Sequence, residues 1–177
     1  MPTKNFSSIG GFAVGSTEVV NTEFELKNIS AIHMVSDNFA DATHDKYLVK
    51  RVTDAANNTL KLTLDGTTAL AENTPALAAD RVSFVKARVF GQETTSNQYV
   101  YATTFDIVVT TANDGTPTVA ATYENIIRNN PPGQEVWNVT PDAFLIGGAP
   151  YFTFEVKSVT TNSTVKWIGV LDITVVS

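Results

Sequence analysis

The chain has 177 residues, 12 Lys and Arg against 18 Asp and Glu, a net charge of -6 and no cysteine. The length suits one domain with its own core. The acidic balance argues against nucleic acid as a partner, and the missing cysteine excludes disulfides, thiolate metal sites and thiol nucleophiles. No apolar run reaches the roughly 20 residues of a spanning helix, so no membrane insertion is expected. The start at Met1 is polar, without the apolar core of a secretory signal, which points to synthesis in a cytoplasm.

In chain order, the first forty residues form a distinct stretch. Phe12, Val14, Val19, Phe24, Leu26, Ile29 and Ile32 alternate with Gly, Asn and charged residues in segments too interrupted for a sheet with a core of its own. They must be buried against the rest of the subunit or against copies of the chain. Residues 1–44 are therefore assigned to an N-terminal oligomerising or attachment extension, and 45–177 to the main domain. His33, Asp37, Asp41, His44 and Asp45 are the densest polar group. If residues 31–45 were helical, the three Asp would share a face and could hold a divalent metal with the imidazoles. No established ligand spacing is met, so the preferred reading is a solvated acidic connector without metal or cofactor.

From residue 45 the apolar period is two. Strands are predicted over 45–52 and 59–64, the second alternating Leu60, Leu62 and Leu64 with Thr and Lys and ending at Asp65-Gly66. Residues 67–80 read as a loop with one helical turn near Ala76–Ala79. The next strand, 81–90, is expected to stop at Gly91, and its alternation slips between Phe84 and Val85, a sign of a bulge or of burial on both faces. Strands follow over 99–111 and 118–128, separated by the Asn113-Asp114-Gly115 turn, and the Asn129–Gly133 run breaks the chain. A short strand over 135–140, one over 151–159 with Phe152, Phe154 and Val156 on the core side, and a closing strand over 164–176 complete the pattern. Short strands with frequent turn signals specify an all-β antiparallel sandwich of jelly-roll-like type.

Candidate chemistry is sparse. With two histidines and no nucleophile elbow, a Ser-His-Asp site is not expected. Tyr99, Tyr101, Tyr123, Tyr151, Trp137 and Trp167 could make a glycan-stacking platform, but rings that alternate within strands more often pack a sandwich or its rim.

Trp137-Asn-Val-Thr-Pro-Asp-Ala, Tyr151-Phe-Thr-Phe-Glu-Val and Thr164-Val-Lys-Trp-Ile-Gly-Val-Leu-Asp-Ile-Thr-Val resemble the β-rich terminal domain of bacteriophage fibre proteins. There a Trp-Asp-Val-Thr segment precedes a closing Lys-x-Ile-Arg-Trp-Val strand; here the closing order is Lys166-Trp167-Ile168, with no arginine. The Phe-x-Lys-Ala-Arg-Val-x-Gly pattern at 84–91 is similar to that domain's first strands. Gly11-Phe-Ala-Val-Gly-Ser-Thr-Glu-Val-Val, followed by Leu26-Lys-Asn-Ile29, resembles a fibre-type segment. The resemblance implies a non-enzymatic virion protein made in the host cytoplasm. It would be a short homotrimeric fibre or appendage of the tail or baseplate, with itself, other virion proteins and a host surface glycan as partners. The long shaft and separate attachment domain of a receptor-binding fibre are not expected from these residues. A capsid decoration protein and a carbohydrate-binding module stand as alternatives.

Overall fold

The computed structural model describes residues 12–14, 17–20, 29–36, 39–54, 59–159 and 163–176. Two units are distinguished, residues 1–30 and 31–177. In the first, β1 (Phe12–Val14) and β2 (Thr17–Val20) form an antiparallel pair in which Phe12 lies opposite Val20.

The second unit is an antiparallel sandwich of two unequal sheets. Its strands are β3 (Ala31–Ser36), β4 (Phe39–Thr53), β5 (Thr59–Lys61), β6 (Arg81–Glu93), β7 (Val100–Thr111), β8 (Pro117–Asn130), β9 (Val136–Ile146), β10 (Ala149–Val159) and β11 (Val165–Val176). The larger sheet runs β3-β4-β11-β6-β7-β8 and the smaller β5-β10-β9. The sandwich thus begins by Ala31: the expected boundary at residue 44 falls inside β4, and residues 31–45 are strand, not helix.

Period-two patterning explains most of this. In β6, Ser83, Val85, Ala87, Val89 and Gly91 are buried while Val82, Phe84, Lys86, Arg88 and Phe90 are exposed. The alternation is unbroken, because apolar Phe84 and Phe90 face outward. The slip expected at Phe84–Val85 is absent. Two bulges lie instead in the β7–β8 pairing, at Ala102/Thr103 and Val108/Val109. The Asp114-Gly115 turn joins these strands, with Gly115 at φ 87°, a conformation that favours glycine. β9 runs on through Pro141, which an edge strand tolerates because it need not donate a ladder hydrogen bond there.

The 62–77 segment supplements the small sheet. Leu62 N–H donates to Phe154 O at 2.9 Å, Phe152 N–H to Pro75 O at 3.0 Å and Leu77 N–H to Pro150 O at 2.9 Å. Among the described residues the helical turn is a 3₁₀ turn at Ala71–Asn73, and Ala76, read from sequence as helical, makes a bridge to Tyr151. With this cover, Tyr151 and Thr153 are buried along with Phe152, Phe154 and Val156.

The sheets meet around aromatic contacts. Phe105 of β7 lies 4.8 Å from Phe154 of β10, between ring centroids. Trp167 of β11 lies 5.9 Å from Trp137 of β9, edge to face, and 5.9 Å from Tyr101 of β7. The Trp167 indole N–H donates to Thr53 Oγ1 at 2.9 Å, and that hydroxyl lies 2.7 Å from Ser158 Oγ of β10. The indole's polar edge is therefore satisfied inside the core, which offsets its desolvation.

Gly91 does not end β6. It lies opposite Trp167 in register, and a Cβ there would stand 2.5 Å from indole Cζ3. The glycine makes room for the ring. Gly91→Ala must displace Trp167 from its Thr53 and Trp137 contacts. The expected cost is about 1–3 kcal/mol of unfolding free energy, read from the denaturant midpoint; an unchanged midpoint would remove this role from Gly91.

Candidate functional site: the uncovered strands of the larger sheet

The larger sheet extends beyond the smaller one. β3 and β8 are its edge strands. In β3, residues 31–35 are exposed on both faces: Ala31, His33 and Val35 lie opposite Tyr47, Asp45 and Thr43, while Ile32 and Met34 lie opposite Lys46 and His44 on the other face. β8 is exposed from Ala120 to its end. Ile126 lies opposite inward-facing Thr103, yet is 50% exposed, and Ile127, set off by the bulge, is 65% exposed. Tyr123 is 66% exposed. Ile32, Met34 and Val35 at one edge, and Tyr123, Ile126 and Ile127 on the other, are apolar surface that a strand ordinarily hides.

Of the residues expected to make oligomer or virion contacts, Ile29 and Ile32 are exposed. Phe12 and Val14 occupy β1 and Val19 occupies β2; Phe24 and Leu26 lie outside the described residues. Met34, Val35, Ile126 and Ile127 were missed, and Tyr123 was read only as a platform or packing ring. Their signal was an apolar residue in a strand whose neighbouring sheet is too narrow to cover it, which requires knowing the strand order.

Of the six rings considered for a glycan platform, Tyr99, Tyr101, Trp137 and Trp167 are packed in or against the core and make none. Tyr101, Trp137 and Trp167 are 2%, 2% and 1% exposed, and Tyr99 packs against the same core. Their faces are occupied by one another and by core side chains. Burial, and then the Glu124 carboxylate that accepts the Tyr101 hydroxyl's hydrogen bond at 2.9 Å, push the Tyr101 pKa well up.

The acidic connector also takes a different form. His33 Nδ1 pairs with the carboxylate of buried Asp45 across β3 and β4. His44 faces Thr174 of β11, its Nδ1 2.9 Å from the hydroxyl, and its Nε2 is 3.4 Å from Asp172. His33 and His44 alternate to opposite faces of the sheet, so they do not converge as the helical reading required. Asp41 occupies β4, and Asp37 lies outside the described residues. Among the described residues no cluster of three His, Asp or Glu side chains suited to a metal is present.

One pair of carboxylates does meet. Lys61 Nζ donates to Asp142 and, at 2.9 Å, to Glu155 Oε1 on the outer side of the small sheet. Burial would lower the Lys61 pKa, but the two carboxylates outweigh it and hold it above its ordinary value. The ammonium stays charged between them and lies over the Phe144 ring, 4.2 Å from its centroid.

A few residues beyond Lys61 a built loop closes against the larger sheet. The Asp65 carboxylate accepts from Thr67 N–H at 2.9 Å, Thr67 Oγ1 at 2.9 Å, Thr63 Oγ1 at 3.1 Å and Asn73 Nδ2 at 3.1 Å. Arg51 Nη1 donates to Gly66 O at 3.2 Å. Between this loop and β4 and β11 is a hollow of ≈ 340 Å³, lined by Lys50, Val52, Asp65, Gly66, Lys166 and Ile168 among others.

No family model and no curated protein matches the chain. Among solved structures, a tailspike protein from the Acinetobacter baumannii bacteriophage Fri1, a capsular polysaccharide depolymerase, is similar with a TM-score of 0.43 and 15% identity. The match covers 82% of this chain and 19% of the tailspike chain.

The Asp65 cage sets a pH dependence. The Thr67 backbone hydrogen bond first, then Asn73 and the Thr67 hydroxyl, hold the Asp65 pKa far below the usual carboxylate range. A depressed folded value means that its stabilising contribution is complete above the unfolded value of roughly 4 and is lost as pH falls through the lowered folded value. Asp65→Ala should lower thermal stability at pH 7 and flatten the acid limb of Tm against pH between about 4 and 2. Parallel Tm–pH curves for the two proteins would remove Asp65 from this role.

Proposed function

We propose that this chain is a non-catalytic structural component of a tailed-phage virion, a short trimeric fibre or appendage protein of the tail or baseplate that acts by assembly and surface attachment. The observation that carries the reading is the apolar surface of β3 and β8, left uncovered at both edges of the larger sheet. An edge strand with Ile, Val and Met on view is an aggregation hazard unless a defined neighbour covers it. The two edges differ in sequence, so a contact between one edge and the other edge of the next copy is heterologous. Such contacts close into a ring when the rotation allows, and three copies make the smallest ring beyond a dimer.

Three features support the particulars. The fibre-like motifs include Trp137 and Trp167, and both tryptophans are core anchors of the sandwich. The proposed attachment residues at the N-terminus include an antiparallel strand pair of their own. The paired carboxylates Asp142 and Glu155 have the Lys61 ammonium between them. Glycoside cleavage places the scissile bond between two carboxyl groups, and that place is taken here by the ammonium.

In light scattering the full chain should be a multimer at micromolar concentration, with the mass of a trimer. The paired substitution Ile126→Asp and Ile127→Asp should weaken association by on the order of tenfold or more, as loss of apolar anchors at an interface does, while near-UV circular dichroism stays native. A monodisperse wild-type monomer would overturn the reading.

A further inference from the structure

The outer face of the larger sheet, the side away from the small sheet, has a charge pattern that the edge strands do not explain. Strand alternation places Lys46 and Lys50 of β4, Lys86 and Arg88 of β6, Arg128 of β8 and Lys166 of β11 on this one side. Within its strands, Asp106 and Asp172 are the acids on this side among the described residues; Asp65, in the loop beside β4, lines the hollow shared with Lys50 and Lys166 and has its carboxylate taken up by Thr63, Thr67 and Asn73. Half of the chain's 12 basic residues therefore lie on a face whose strands carry two of its 18 acids.

Asp172 is already engaged by a cation, and Asp106 faces one in register. Lys46, Asp172, Lys86 and Asp106 stand opposite one another in a single row across β4, β11, β6 and β7, and Lys46 Nζ is 3.1 Å from Asp172. Lys50, Arg88, Arg128 and Lys166 have no acidic neighbour in register: they lie opposite Ile168, Val170 and Thr104, Ala102, and Val52 and Gln92 respectively. Between these cations Leu48, Val52, Phe90, Ile168 and Val170 are exposed. The ≈ 340 Å³ hollow at Lys50, Val52, Lys166 and Ile168 lies at the corner of this surface.

Two such faces would repel each other, so the surface is not self-complementary about a two-fold axis. What covers it must be acidic and apolar at once. The chain contains such a stretch: Thr17-Glu-Val-Val-Asn-Thr-Glu-Phe-Glu-Leu26 has Glu18, Glu23 and Glu25, no Lys or Arg, and Val19, Val20, Phe24 and Leu26 between them. We propose that the basic outer face of the larger sheet receives residues 17–26 of a second copy of this chain, the carboxylates facing Lys50 and Lys166 and the apolar side chains covering Val52, Ile168 and their neighbours. This rests on the assembly reading above and names the surfaces through which part of that assembly is made.

The test uses the full chain in two charge-reversed forms, Lys50→Glu with Lys166→Glu and Glu23→Lys with Glu25→Lys, followed by sedimentation velocity. Each form alone should associate at least about tenfold more weakly than the wild type. An equimolar mixture should recover association in part, because in a three-membered ring two of the three contacts then join complementary surfaces. Wild-type association should also weaken as salt rises from about 0.05 to 0.5 M, since exposed ion pairs are screened. Near-UV circular dichroism and the conservative variant Lys50→Arg with Lys166→Arg, which should associate as wild type does, control for the fold. Wild-type association by either reversed form overturns the docking, as does a mixture that stays dissociated, which would point to contact within one subunit. So does a face variant whose mass is unchanged but which loses retention on immobilised heparin, since the occupant is then an anionic polymer. If the charge reversals are silent while the Ile126→Asp, Ile127→Asp pair still dissociates the multimer, the docking fails and the assembly reading stands.

Discussion

A sandwich needs both inner faces covered, and here the two sheets differ in width. Strands lie about 4.8 Å apart, so six span roughly 24 Å between outermost strands and three roughly 10 Å. The 62–77 segment widens the smaller layer through its bonds to β10 and, at Thr63, to Lys50 of β4. It does not reach the margins. Val49, Val85, Ile107 and Leu171 of the middle strands are sealed, while β3 and most of β8 are exposed on both sides. The apolar edge surface follows from that inequality rather than from an unusual composition.

Where the layers do overlap, Trp167 fastens them. Its ring fills the space over Gly91, packs on Trp137 across the sandwich, and hands its indole N–H to Thr53, which lies beside Ser158 of the opposite sheet. A small, one-sided overlap gains more from a large side chain with a satisfied polar edge than from several aliphatic ones, because buried area is concentrated where both layers contribute. The same demand accounts for the burial of Tyr101 and Trp137, rings whose residue types alone would equally suit a binding platform.

Strand positions were legible from period two because alternation is local: β4, β6, β7, β10 and β11 each match a predicted run. Their ends were less so. Gly91 read as a stop and the strand over 135–140 ended just before Pro141, yet Gly91 accommodates a ring from the neighbouring strand and Pro141 lies on an edge, and both reasons are tertiary. The slip at Phe84–Val85 was misread because an outward apolar residue looks like a broken pattern when every Phe is assumed to be inside. Of the candidate site, Ile29 and Ile32 were accessible as apolar residues in a segment without a core. Val35, Ile126 and Ile127 were not, since they sit in ordinary strand sequence and become conspicuous only when β3 and β8 are known to be margins. The Lys61–Asp142–Glu155 contact joins residues far apart in the chain and had no sequence signal.

Exposed apolar strands persist in a folded chain only if unspecific pairing is discouraged. The β7–β8 bulges twist the β8 margin away from a flat template, and cations stand between the apolar positions of the outer face. Both devices lower affinity for an arbitrary strand. Neither penalises a partner shaped to the bulged edge or bearing acids at the matching spacing. The apolar side chains contribute affinity without direction, while the bulges and the one-sided charge determine which neighbour can approach and in which orientation. An outer face that was merely greasy would stack on itself. Placing half of an acidic chain's cations there makes that stacking repulsive and leaves the contact open to an acidic surface.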